Sequence, residues 1–212
     1  MRIYALISQK GGAGKSMLAR QLAVLAGESG RSLLIDRDPQ ATSGKWWQRR
    51  QMLQPTPAEP DLLDLGNTSL TMAAKALGRQ EGSVFIDTRP AVTEPEAEAA
   101  RVANLVIVPV RPSSDDLEAV GETLRILRRL DRRAVLVINA AKNEMRARDA
   151  KAALSRYPVP VCPIHVGDRA IYLDASLEGR GVGEMKGAAA RDAHAELCAI
   201  WNWIQDTAHD PD

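Results

Sequence analysis

Short apolar runs recur along the chain, and helical patterns lie between them. The runs are Ile3–Ile7, Ser32–Ile35, Asp61–Leu65, Val84–Ile86, Leu105–Val110, Ala134–Ile138 and Val159–Ile164. Most are nearly continuous and do not alternate. That predicts strands covered on both faces, as in a parallel sheet flanked by helices. The last run holds Pro160 and Pro163. Proline cannot donate to a ladder, so this run is placed at a sheet edge or read as irregular. Helices are predicted near residues 15–29, 41–53, 69–79, 94–103, 114–130, 144–156, 169–178 and 188–207. Gly30 is expected to end the first helix. Pro112, Ser113 and Ser114 are expected to open the fifth, with a serine capping its free amides. The alternation predicts an α/β fold with a doubly wound, mostly parallel sheet flanked by helices.

The 212 residues suffice for one well-buried α/β domain and are too few for two comfortable ones, so residues 1–212 are read as a single domain. The stretch Gln54–Pro60 reads as a surface connection, and residues 205–212 as a frayed acidic tail. The net charge of +1 gives no whole-molecule basic field, so any contact with nucleic acid must come from local patches. Cys162 and Cys198 lie far apart with no CxxC spacing, which argues against a zinc or iron–sulfur site built by one chain. The start of the chain shows no signal-peptide pattern, and no window approaches 18 consecutive apolar residues, so no membrane association is expected. Leu197, Ile200, Trp201 and Ile204 form a stripe near the C-terminus. A membrane-surface helix would carry Lys or Arg opposite such a stripe. Asp192, Glu196 and Asp206 stand there instead, so the stripe is read as core packing.

The strongest chemical signal is Lys10-Gly11-Gly12-Ala13-Gly14-Lys15-Ser16, which follows a strand and opens a helix. Its glycines let several amides face one anion. The first turn of the helix, through Met17, adds unpaired N–H groups and a positive dipole end. In such a phosphate loop Lys15 reaches the β- and γ-phosphates, and the Ser16 hydroxyl ligates magnesium. The expected ligands are therefore ATP or ADP with Mg2+, on a P-loop NTPase fold. Met17 stands where a dinucleotide-binding fingerprint needs a small residue.

In open α/β sheets, ligands sit beyond the carboxyl ends of the strands. Asp36 ends the second strand within Asp36-Arg37-Asp38-Pro39-Gln40, and Asp87 ends the strand Val84-Phe85-Ile86. A carboxylate after an apolar strand suits a magnesium-holding Walker B group, though such an aspartate is often only a helix cap. By itself the DxDPQ run could be a proline turn with capping aspartates.

Taken together, these segments resemble the ParA/MinD family of deviant Walker A ATPases, most of all its small plasmid-partition members. Lysine stands at position 10, and Gln9 replaces the glycine of the common P-loop pattern. Shared features are KGGAGKS, the DxDPQ run followed by Trp46 and Trp47, Val108-Pro109-Val110-Arg111-Pro112-Ser113, and the stretches from Arg169 to Tyr172 and from Gly179 to Glu184. The resemblance implies that Lys10 reaches across a dimer interface to the partner's phosphates. It implies that Asp36 supports the magnesium shell and that Asp38 orients or activates the attacking water. It points to Asn139 and the backbone near Pro163 and Ile164 for adenine recognition. On the residues alone, Asn139 could equally cap the next turn. The family usually has proline two residues after the Walker B aspartate, whereas Arg89 stands here.

The resemblance further implies a homodimer formed on ATP, nonspecific binding to nucleoid DNA in the cytoplasm, and a centromere-binding or cargo adaptor that stimulates slow hydrolysis. No helix-turn-helix segment precedes the P-loop, so sequence-specific operator binding is not expected. Arg125, Arg128, Arg129, Arg132 and Arg133 form one basic cluster; Lys142 and Arg146, with Arg148 and Lys151, form another. Either can neutralise phosphates without reading bases, and either can be a solvated helix face opposite Glu118, Glu122 and Glu144. A second reading is a synthetase of the same fold, of the dethiobiotin or cobyrinate type, which uses ATP to activate a carboxylate.

Overall fold

The computed structural model describes residues 1–209. Six strands form one sheet: β1 (Arg2–Leu6), β2 (Ser32–Asp36), β3 (Asp61–Leu62), β4 (Ser83–Asp87), β5 (Leu105–Val110) and β6 (Ala134–Ile138). Their order is β3-β2-β4-β1-β5-β6 and every pairing is parallel. The helices are α1 (Lys15–Gly27), α2 (Thr42–Gln51), α3 (Leu70–Leu77), α4 (Glu94–Val102), α5 (Ser114–Arg129), α6 (Glu144–Leu154), α7 (Ile171–Glu178) and α8 (Ala188–His209). A short 3-10 turn spans Val182–Glu184.

Alternate residues of each strand enter different cores, which is why the strands are apolar throughout. Tyr4, Leu6, Leu34, Phe85 and Ile107 meet Leu18 and Leu22 of α1, Trp46 of α2, and Leu197, Ile200, Trp201 and Ile204 of α8. Ile3, Ala5, Ile7, Leu33, Ile86 and Val106 meet Leu70, Ala99, Leu124 and Leu154 on the other face. The C-terminal stripe is thus core, as expected. Tyr4 stacks on Phe85 at 5.3 Å and meets Trp201 edge-on at 5.1 Å. Each such pair contributes about 1 kcal/mol beyond area burial, so α8 is held firmly to the sheet. Among the described residues, no helix is long and apolar enough to cross a membrane.

Three expectations are corrected, and two readings left open are narrowed. The strand expected over 61–65 pairs only at Asp61 and Leu62; the chain then turns at Gly66 (φ 50°), whose N–H donates to Asp64 Oδ1. Residues 159–164, expected at a sheet edge or irregular, are irregular: they give a single bridge, Leu136 to Val161, because Pro160 and Pro163 carry no N–H to extend it. Gly30 does not terminate α1. That helix ends at Gly27, and Gly30 is not among the left-handed glycines. Residues 205–209, expected to be frayed, continue α8; residues 210–212 lie outside the described residues. Asn139 does not cap the following turn: Asn143 caps α6, accepting from Arg146 N at 3.0 Å. The serine cap of α5 is present, with Ser113 Oγ accepting from Asp116 N at 3.2 Å.

The start of α2 carries candidate chemistry, and its far end is anchored firmly. Arg50, 1% exposed, makes two 2.7 Å bonds to Glu184 and also donates to the carbonyls of Glu59 and Gly179. Its guanidinium lies 5.4 Å from the centre of the buried Trp46 ring. Gly179 ends α7 at φ 72°, where a Cβ would overlap the backbone of Arg50, so α2 and α7 approach more closely than any side chain permits.

Candidate functional site

The order of the sheet gathers the chemistry. β1 lies between β4 and β5, and β4 lies beside β2, with Asp36 and Asp87 in register. The loop after β1 and both strand-ending aspartates therefore share one carboxyl edge.

Gly14 begins α1 in a left-handed conformation (φ 96°) and no side chain caps this helix. Among the described residues, none of the amides from Gly11 to Met17 finds an acceptor; the first helical bond is Leu18 N to Gly14 O. Backbone N–H groups are strong donors that folded chains almost always satisfy, so a run of open amides at a helix start is an anion site. Lys15 stands beside it, only 6% exposed. Burial pulls its ammonium below the usual lysine range, opposed by the fields of Asp87, Asp38 and Glu96.

Asp87 is fully buried. One oxygen accepts from Ser43 Oγ at 2.7 Å; the other, Oδ1, makes no hydrogen bond of acceptable geometry. Burial raises its pKa to about 6, opposed by the Ser43 and Ser16 hydroxyls, with Asp36 reinforcing the rise and Arg20 opposing it. Asp36 is half-buried and accepts from the amides of Asp38 (3.0 Å) and Gly44 (2.8 Å). Asp38 Oδ1 accepts from Gln40 N at 3.0 Å. Among the described residues no three His, Cys, Asp or Glu side chains could hold a metal by themselves. Magnesium on a nucleotide needs only one or two carboxylates, with phosphate oxygens and water completing its shell. An orphaned buried carboxylate oxygen beside the Ser16 hydroxyl fits that demand.

Asn139 reaches the same loop from β6. Its Nδ2 donates to Ala13 O at 2.7 Å, while its buried Oδ1 has no partner. The amide thus braces the phosphate loop, and its oxygen is left buried without a partner. The segment with Pro163 and Ile164 runs alongside, tied by Cys162 N to Leu136 O and Val166 N to Ile138 O. The Lys10 Nζ lies 3.9 Å from Asp115 at the start of α5. Arg89 is absorbed locally. It donates to Glu96 at 2.9 Å, and Glu96 caps α4 through Thr93. That ion pair ties the loop after β4 to the first turn of α4.

Sequence reasoning missed Ser43, Arg20 and Glu96. Ser43 follows the DxDPQ run closely enough to have been suspected. Arg20, buried beside Trp46 with its guanidinium 6.0 Å from the ring centre, looked like an ordinary helix cation.

The basic clusters lie at opposite ends of the sheet. Arg125, Arg128, Arg132 and Arg133 line a cleft of about 620 Å3 at the amino ends of β5 and β6, far from the phosphate loop. Arg125 pairs with Glu122, Arg132 donates to the carbonyls of Leu130, Asp131 and Arg101, and Arg133 donates to Thr207 O. Arg128 and Arg129 are exposed. Lys142 and Arg146, also exposed, follow β6 at the carboxyl edge.

Comparison with known proteins agrees with this geometry. Residues 4–182 match the family described as the CobQ/CobB/MinD/ParA nucleotide binding domain. The chain is 28% identical over 206 residues to a maintenance of carboxysome distribution protein A from Gloeobacter kilaueensis, covering 92% of this chain and 90% of that one. It is 30% identical over 153 residues to a probable plasmid-partitioning protein ParA from Thermus thermophilus, covering 56% of this chain and 48% of that one. Its fold matches the septum site-determining protein MinD of Pyrococcus horikoshii, solved with Mg-ADP, at a TM-score of 0.76 and 16% identity, over 98% of this chain and 97% of that one.

Proposed function

The chain belongs to the CobQ/CobB/MinD/ParA nucleotide-binding family, and on that premise we propose that it is an ATP-hydrolysing switch that positions DNA or another cargo. Two copies close on two ATP molecules, the closed dimer holds DNA without reading its sequence, and an adaptor on the cargo triggers hydrolysis and release. The run of unsatisfied amides from Gly11 to Met17 carries this reading. Those amides and Lys15 bind the phosphates. Ser16 and Asp87 would hold magnesium directly or through its water, and Asp36, fixed by two backbone amides, would support that shell. Bound magnesium supplies charge neutralisation for the β- and γ-oxygens. Asp38, on the loop between β2 and α2, orients the attacking water. Asn139 Oδ1 and the backbone near Pro163 and Ile164 receive the adenine. Lys10 serves the partner's nucleotide, leaving Asp115 when the dimer closes. The relatives assigned to carboxysome distribution and plasmid partitioning support a positioning role.

Calorimetry on the purified chain tests the nucleotide reading. Mg-ATP and Mg-ADP are expected to bind, and Lys15→Ala to weaken ATP binding and hydrolysis at least about a hundredfold. No heat from the unaltered chain at millimolar nucleotide would end the proposal. DNA binding is tested by salt titration with ATP present. Arg128→Glu/Arg129→Glu is expected to weaken binding and to lower the slope of log K against log salt by about 2, one unit for each phosphate no longer neutralised. An unchanged slope would clear that patch and turn attention to Lys142 and Arg146. ATPase activity stimulated by DNA, with no small-molecule acceptor, separates the switch from a carboxylate-activating synthetase.

A further inference from the structure

The guanidinium of Arg111 lies over the phosphate loop: a Cβ built on Gly12 would stand 3.4 Å from its Nη1 and 3.7 Å from its Cζ. Arg111 directly follows β5, and β5 pairs with β1, so the sheet delivers this side chain to the loop that leaves β1. It is exposed and makes no hydrogen bond or ion pair with any described residue. The nearest acid along its own segment to find a cation, Asp115, is paired with Lys10.

This arrangement suits an anionic ligand. Open amides, the positive end of α1 and the Lys15 ammonium already concentrate positive charge at the loop. A further cation above them, with no carboxylate among the described residues bound to it, adds to the attraction for an anion of high charge. A guanidinium offers parallel donors that match two phosphate oxygens at once. Gly12 lies near the end of the amide run away from Met17, and Lys15, which reaches the β- and γ-phosphates in a loop of this kind, stands between them. On the nucleotide reading above, a cation over Gly12 would therefore meet the phosphate chain toward its terminal end.

We propose that Arg111 binds the terminal phosphate of ATP within its own subunit and stabilises the charge that moves onto the leaving ADP during hydrolysis. In that step water oxygen bonds to the γ-phosphorus and the bond to the β–γ bridging oxygen breaks. ADP leaves with the electron pair, and the proton of water passes to solvent. The inference rests on the nucleotide reading above and adds a cation that the chain supplies in cis, before any adaptor acts.

Arg111→Ala tests it by calorimetry with Mg-ATP and Mg-ADP, by basal ATPase kinetics, and by thermal melting. Because the side chain is exposed and unpaired, the melting temperature should not change. Affinity for ATP is expected to fall about tenfold, affinity for ADP less than about twofold, and kcat about a hundredfold. If the unaltered chain binds and hydrolyses ATP while Arg111→Ala matches it, or loses ATP and ADP affinity equally, the assignment of Arg111 is wrong and the nucleotide reading stands. If the unaltered chain binds neither nucleotide, both fall together.

Discussion

Asp87→Asn is expected to lower magnesium-dependent ATP hydrolysis by at least about a hundredfold and, in the same protein, to stabilise the nucleotide-free chain by up to about 3 kcal/mol at pH 7. The two effects have one cause. Asp87 is fully buried and its Oδ1 lacks a partner, so the charge that would hold magnesium is costly while no magnesium balances it. The carboxyl keeps its proton to about pH 6 in the folded chain, against an ordinary value of 3.8. Between those values the folded state binds more protons than the unfolded one, so stability falls as pH rises through the window and the loss is complete above it. Asparagine has no proton to lose. Its advantage should be near zero at pH 3.8 and below, and should reach its full size above pH 6. Urea unfolding at both ends of that range reads the difference. An equal advantage at the two pH values would show that burial of the charge is not the origin.

A second large effect is expected at Gly14. Gly14→Ala should remove detectable nucleotide binding and destabilise the chain by roughly 3 kcal/mol or more. The residue sits at φ 96°, a region that strains any L side chain, and a Cβ there would overlap the Asn139 amide nitrogen. Asn139 cannot yield cheaply, because it is 2% exposed and its Nδ2 satisfies Ala13 O at 2.7 Å. Chemical denaturation measures the loss. Adding Asn139→Gly relieves the overlap but not the backbone strain, so it should recover part of the stability and none of the binding. Full recovery of both would mean that the left-handed turn is not required.

Much of the framework was legible because it depends on short stretches of chain. A continuous apolar run such as Leu105–Val110 marks a strand buried on both faces, and its bounds match β5. The prolines of residues 159–164 were read correctly as limiting pairing, while an error fell where a turn cut a strand short, as at Gly66. Another fell where tertiary contact overrode composition: the acidic end of α8 stays helical through His209, with Arg133 donating to Thr207 O.

The sequence by itself determined the strand–helix alternation, the phosphate loop and the two aspartates at strand ends. Each is written in a few adjacent residues whose backbone preferences and apolar spacing act locally. Only the tertiary structure decided which distant groups complete the site. Ser43 on Asp87, Asn139 under Ala13 and Arg111 over Gly12 join positions separated by 44, 126 and about a hundred residues. Those meetings follow from the strand order β3-β2-β4-β1-β5-β6. That order comes from packing two cores at once, and no local pattern in a chain encodes it.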